Sequence, residues 1–182
     1  MSQSVRRLVF ISLLIAMSYA LMFALQIPLV PVAPYLKYDP SDVPTLVGSF
    51  IFGPVAGVTI AFVKATLFLM TKGTSGPVGS IQNFVASGTF ALVAGLIYRR
   101  FRNKWGVLAG LLAGGLAMTA VMIPVNYYWA LGAYGIPQAA HLELVRTAIT
   151  PFNLARGAVS ALLTFPVFLA LQKPLSKIVN RK

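Results

Sequence analysis

Cysteine is absent from this chain of 182 residues, histidine occurs once, and three acids stand against fifteen lysines and arginines. These absences exclude disulfides, thiolate nucleophiles, iron–sulfur clusters and Cys/His metal centres. Three carboxylates also leave almost no room for paired-carboxylate catalysis. Charge is scarce, at 10% of residues, whereas 58% are hydrophobic and the mean hydropathy is +0.81; soluble domains carry roughly a quarter charged residues. The expectation is an all-α integral membrane protein, a single membrane domain over 1–182, and not an enzyme. A formal charge of +12 would suit nucleic acid if the basic residues lay on a polar face. They stand instead mostly at the ends of apolar runs, so the expected surroundings are a lipid bilayer and nucleic acid is not a partner.

The apolar runs give the crossings. A span needs roughly 20 residues to match a ~30 Å hydrocarbon core, and the stretch from Val43 to Thr71 is too long for one such span. Gly53-Pro54 interrupts it, where a helix ends or kinks. Six spans result, at about 8–27, 42–52, 54–71, 79–98, 105–128 and 147–172. Charge location supports the split. Arg6 and Arg7 form one basic cluster, Arg99, Arg100, Arg102 and Lys104 a second, and Lys173, Lys177, Arg181 and Lys182 a third. All three are cytoplasmic only if an even number of crossings separates them, which six spans satisfy with both termini inside. The second helix, about 11 residues or ~17 Å, is too short to cross alone. A signal peptide is the alternative reading of Arg6-Arg7 and the run after it; that run is longer than a usual signal core, and further spans follow.

Counting inward from the outer ends places Lys64, Asn83, Asn126, Asn153 and Arg156 within ~14 Å of the outer surface, on four helices. An ionisable group within a membrane segment marks a functional site by default. Asn153 and Arg156 share one helix face, followed by Gly157. The acids Asp39, Asp42 and Glu143 fall in outer loops or at a helix start, Asp42 reading as an N-cap before Val43-Pro44. No acid is expected inside a span, so the two cations are to be neutralised by loop acids folding inward, by helix-end carbonyls or by an acceptor-rich ligand. Tyr35, Tyr38, Phe84, Tyr127, Tyr128, Trp129 and Phe152 are placed to sandwich a flat ring or to form an interfacial aromatic belt. Such a pocket suits a small, planar, polar-edged molecule with hydroxyls, not ion conduction.

Two lines of small residues recur at a spacing of four: Ala16, Ala20 and Ala24 in the first span, and Gly106, Gly110 and Gly114 in the fifth. Each lets another helix approach closely. The glycines read as internal packing; the alanines fit either packing or a partner subunit. Gly73-Thr74-Ser75-Gly76 matches the GxSG motif of intramembrane serine proteases, but His141 lies in the outer loop 128–146, away from membrane depth. No P-loop occurs, so active transport would draw its energy from a partner or an ion gradient.

The segments Tyr35-Leu36-Lys37-Tyr38-Asp39-Pro40-Ser41-Asp42-Val43-Pro44, Phe50-Ile51-Phe52-Gly53-Pro54-Val55-Ala56-Gly57, Gly76-Pro77-Val78-Gly79 with Asn83-Phe84, Pro124-Val125-Asn126-Tyr127-Tyr128 and Pro151-Phe152-Asn153-Leu154 resemble the riboflavin-specific S component of energy-coupling factor (ECF) transporters. The resemblance covers nearly the whole chain. It implies six helices and an outward-facing pocket for riboflavin, lined by Asn83, Asn126 and Asn153 with Tyr35–Asp39 as lid. It also implies coupling through Ala16, Ala20 and Ala24 to a transmembrane T subunit, driven by two cytoplasmic ABC-type ATPases in the bacterial cell membrane. The expected binding set is Tyr35, Leu36, Tyr38, Lys64, Asn83, Phe84, Asn126, Tyr127, Asn153 and Arg156, with no metal and no cofactor. The family often has Lys where Arg156 stands; the planar fork of Arg suits a phosphate or a carbonyl edge, which leaves riboflavin alone or also its phosphate, FMN, as ligand. Competing readings are an S component for another vitamin, a gradient-driven carrier, which would need inverted repeats or an intramembrane acid, and an assembly subunit without a ligand.

Overall fold

The computed structural model describes residues 2–30, 36–72 and 76–179, with side chains described as far as Gln172. Tyr35, most of the GxSG stretch, Arg181 and Lys182 lie outside the described residues, as do the side chains of Lys173 and Lys177.

Helix α1 (Gln3–Ala24) starts at an N-cap, the Ser2 hydroxyl accepting the Val5 N–H at 3.3 Å. The chain then forms a small antiparallel ribbon, β1 (Ile27–Pro28) with β2 (Lys37–Tyr38), in which Ile27 faces Tyr38. Helices α2 (Asp42–Phe52) and α3 (Pro54–Thr71) are two, as Gly53-Pro54 requires. Gly53 sits at φ 98°, a left-handed conformation that strains any side chain, and Pro54 opens α3 at its first position, where no N–H is needed. Helix α4 (Gly76–Arg100) ends in the basic turn. Helix α5 (Lys104–Val125) begins where the Asn103 side chain accepts the Gly106 N–H at 2.8 Å.

Beyond α5 the structure departs from the expected loop 128–146. A π-turn (Asn126–Ala130), α6 (Leu131–Ala133), a 3-10 turn (Gln138–Ala140), α7 (His141–Leu144) and a second π-turn (Val145–Ile149) lead into α8 (Thr150–Val179). Leu131, Val145 and Ile149 form an apolar cluster with Leu36, Tyr127 and Ile136, which is why this segment folds instead of remaining open. His141 bridges it, Nδ1 lying 2.7 Å from Tyr127 O and Nε2 2.9 Å from Ile136 O. Each π-turn neighbours a proline. Pro124 lacks the N–H that would close the preceding turn, and Thr150 N–H bonds to Val145 O immediately before Pro151. The extra residue in each wide turn re-aims the side chains around it.

Among the described residues, five helices are long and apolar enough to cross a membrane: 3–24, 54–71, 76–100, 104–133 and 138–172; α2 is the short sixth. The core runs from Leu46, Val47 and Phe50 through Phe90 and Ala94 to Leu111, Met118 and Phe168. At one end of the bundle the rings of Phe50, Tyr98 and Phe168 meet edge-on at 4.9–5.2 Å. The glycine line of α5 is internal packing. A methyl on Gly110 would stand 2.8 Å from Ala94 O, and one on Gly114 would stand 2.8 Å from the Phe90 ring. Ala16, Ala20 and Ala24 are exposed, and α1 buries only Ser18 and Met22. Large apolar side chains also face outward, among them Leu116, Leu162 and Met70, as expected where lipid is the solvent.

Candidate functional site

The short helix α2 begins inside the bundle, so the chain before it carries the polar residues Asp39 and Ser41 into buried positions. Ser41 occupies the N-cap position without a side-chain cap bond, and the Asp39 carboxylate accepts the Ser41 N–H at 3.0 Å. Asp42 is therefore not the N-cap that its sequence position suggests. Its carboxylate lies 1% exposed and turns into the bundle. Oδ2 accepts Arg156 Nε at 2.9 Å, and Oδ1 accepts Arg156 Nη2 at 3.1 Å and Lys64 Nζ at 3.1 Å. Ser87 donates its hydroxyl to Oδ1 at 2.6 Å and accepts from Arg156 Nη2 at 2.8 Å. Lys64 also donates to the Ser41 hydroxyl at 2.6 Å.

Both membrane cations are thus paired, and by one shared acid. Of the three counter-charges expected for them, an acid at a loop end and helix start that folds inward serves, and it is Asp42. Removing two cations and a carboxylate from water is costly, and only mutual pairing with additional hydrogen bonds makes it tolerable. Four helices, α2, α3, α4 and α8, are tied at this point.

Above the network lies a cavity of about 660 Å³, within the roughly 300–1,000 Å³ range of small-molecule sites. Arg156, Asn83, Asn126 and Asn153 line it, as does Leu36. The π-turn carries Asn126 and α8 carries Asn153; each amide is held by its own helix, Asn126 Nδ2 donating to Met122 O at 2.7 Å and Asn153 Nδ2 to Ile149 O at 2.8 Å. Apolar walls come from Met22, Phe68, Met122, Ile136, Ile149 and Phe152. Lys37 and Asp39 line it from the first loop, while Tyr35 lies outside the described residues.

Four expected residues are placed elsewhere. Lys64 is fully buried behind Asp42 and is not on the cavity wall. Phe84 packs edge-on against Phe62 at 5.4 Å, and Tyr127 packs against Tyr128 and His141. Tyr38 is buried with its hydroxyl 3.5 Å from Ser160 Oγ, and burial pushes its phenol pKa above the ordinary value. Sequence reading missed Gln26, Gln82 and Tyr134, all on the cavity wall. Gln82 was legible as a second amide beside Asn83. Tyr134 was legible from Gly135, a helix-stop residue that the structure places at φ 76°.

The family model described as "ECF transporter, substrate-specific component" matches residues 6–168. The riboflavin transporter RibU of Staphylococcus aureus is 36% identical over 98% of this chain and 95% of its own length. The riboflavin transporter FmnP of Bacillus subtilis is 32% identical over 92% and 93%. A solved structure described as the S component of a bacterial ECF transporter superposes with a TM-score of 0.78 at 36% identity, covering 98% of this chain and 99% of that one. Sequence and fold agree over nearly the full length: the chain belongs to the substrate-specific components of ECF transporters, multi-pass proteins of the bacterial cell membrane.

Proposed function

We propose that this chain binds riboflavin in the cavity and takes it up together with a transmembrane T subunit and two cytoplasmic ATPases. The observation that carries the reading is a cavity of about 660 Å³ with Asn83, Asn126, Asn153 and Arg156 among apolar walls, in a chain 36% and 32% identical to two riboflavin transporters. A flavin has a flat apolar body with a polar edge and a hydroxylated tail. Its ring packs against Phe152, Met122 and Ile149, and its edge and hydroxyls meet the carboxamides, each of which both donates and accepts. Cavity amides left without partners by a poorer ligand are costly, and this is the source of selectivity.

Arg156 already gives Nε and Nη2 to Asp42 and Ser87, so the site favours neutral riboflavin over FMN. Lys64 acts through Asp42, holding the acid that orients Arg156. The exposed line Ala16, Ala20 and Ala24 on α1 supports docking on the T subunit, with the basic turn Arg99–Lys104 on the cytoplasmic side and the cavity opening outward. Riboflavin is cargo; the chain performs no reaction of its own and uses no cofactor. Titration of the purified protein with riboflavin, followed by flavin fluorescence and challenged with thiamine and biotin, tests the assignment. Quenching by riboflavin alone supports it, and displacement by another vitamin would reassign the substrate within the same family.

A further inference from the structure

One wall of the cavity carries a hydrogen-bonded chain with a single direction. Met122 O is a backbone carbonyl and can only accept, so the Asn126 amide must turn its nitrogen toward it, as the 2.7 Å Nδ2 to Met122 O bond shows. Asn126 Oδ1 then faces the other way, where Gln82 Nε2 donates to it at 2.7 Å. This in turn leaves Gln82 Oε1 to accept, and the Tyr134 hydroxyl donates to it at 3.0 Å. A backbone carbonyl in α5 therefore fixes the orientation of three side chains, on the first π-turn, on α4 and at the rim beyond α6.

The rim end is held as firmly as the inner end. Gly135 at φ 76° lets Ile136 N–H reach back to Leu131 O at 3.0 Å while Gly135 N–H bonds to Gly132 O at 2.9 Å, the doubly bonded αL helix stop. Tyr134 is the last residue before that stop, and Ile136 after it also lines the cavity. Asn126 is 3% exposed. With one N–H given to Met122 and one lone pair to Gln82, it keeps one N–H and one lone pair to offer an occupant of the cavity it lines.

We infer that Gln82 and Tyr134 are positioning residues for ligand recognition: the directional relay Tyr134 to Gln82 to Asn126 holds the Asn126 carboxamide in the orientation that Met122 O sets, and so helps select the hydrogen-bond pattern a ligand edge must offer. This rests on the cavity being the flavin site. A ligand with the reversed pattern would have to turn Asn126, which sets two oxygens, Oδ1 and Met122 O, against each other.

A double-mutant cycle on the purified full chain, read by riboflavin fluorescence, tests it. Gln82→Met removes the donor at similar length and is expected to weaken binding about tenfold in the wild-type background and less than about twofold in the Asn126→Ala background. Tyr134→Phe shows a smaller loss with the same dependence on Asn126. Gln82→Glu, which cannot donate, weakens binding more than Gln82→Met. Losses of equal size in both backgrounds would overturn the positioning role, because Gln82 would then act without Asn126. A wild-type chain that binds no flavin would fail the riboflavin reading alone. The relay is then read in the ligand-free protein, where Tyr134→Phe shifts the Asn126 side-chain amide resonances through Gln82; unshifted resonances would overturn it.

Discussion

Asp42 and Arg156 stand 114 residues apart in sequence and meet side-on, Nε to Oδ2 at 2.9 Å and Nη2 to Oδ1 at 3.1 Å. Lys64 adds its ammonium to the same Oδ1 at 3.1 Å. Arg156 lines the cavity, and with Lys64 and Ser87 the pair is the junction of α2, α3, α4 and α8. Asp42→Ala leaves two buried cations without the acid they share. The expected cost is about 3–5 kcal/mol, measured as a fall in the unfolding midpoint in detergent. Replacing Asp42, Lys64 and Arg156 together by apolar residues of similar size costs less than Asp42→Ala alone, since no charge is then stranded.

Arg156→Lys keeps the charge and loses the fork. Riboflavin binding is expected to survive it within about tenfold, whereas Arg156→Met, which removes the charge and both bonds to Asp42, weakens binding by about tenfold more. Equilibrium titration of the two variants side by side reads the difference.

The junction of α2 and α3 depends on Gly53 at φ 98°. Nothing stands within 4 Å of a methyl added there, so space is not the obstacle. Gly53→Ala is expected to cost about 1–2 kcal/mol from backbone conformation alone. Thermal unfolding measures it, and ligand affinity at full folding is unchanged because the turn lies far along α2 from Asp42.

If the alanine line of α1 docks on the T subunit as proposed, binding and uptake come apart. Ala20→Phe adds bulk to an exposed position and is expected to abolish uptake by cells carrying the complete transporter. The isolated chain keeps its affinity within about twofold, as for other exposed substitutions. Parallel loss of binding and uptake would place the line in the fold of the chain itself.

The all-helical membrane class, the break at Gly53-Pro54 and the meeting of Asn83, Asn126, Asn153 and Arg156 are legible in the sequence, because hydropathy sets length and counting inward at 1.5 Å per residue sets depth. Direction around a helix is not set by depth. Asn83 faces the cavity while Phe84, about 100° further round, faces Phe62. Asn126 and Tyr127 divide in the same way, Tyr127 turning to His141. Asp42 was hidden by its position at a helix start, since its partners are 22 and 114 residues distant and only tertiary packing brings them together. The folded segment after Pro124 escaped because π-turns disturb the helical period that would have revealed it.

The central claim, that the cavity bounded by Asn126, Asn153 and Arg156 is a riboflavin site, is tested most directly by titrating the purified wild-type chain with riboflavin and following flavin fluorescence. The account predicts quenching that saturates at one flavin per chain at micromolar concentration or below, undisturbed by excess thiamine or biotin and strongly weakened in Asn153→Ala. No quenching at micromolar riboflavin, or quenching that Asn153→Ala leaves intact, would contradict it.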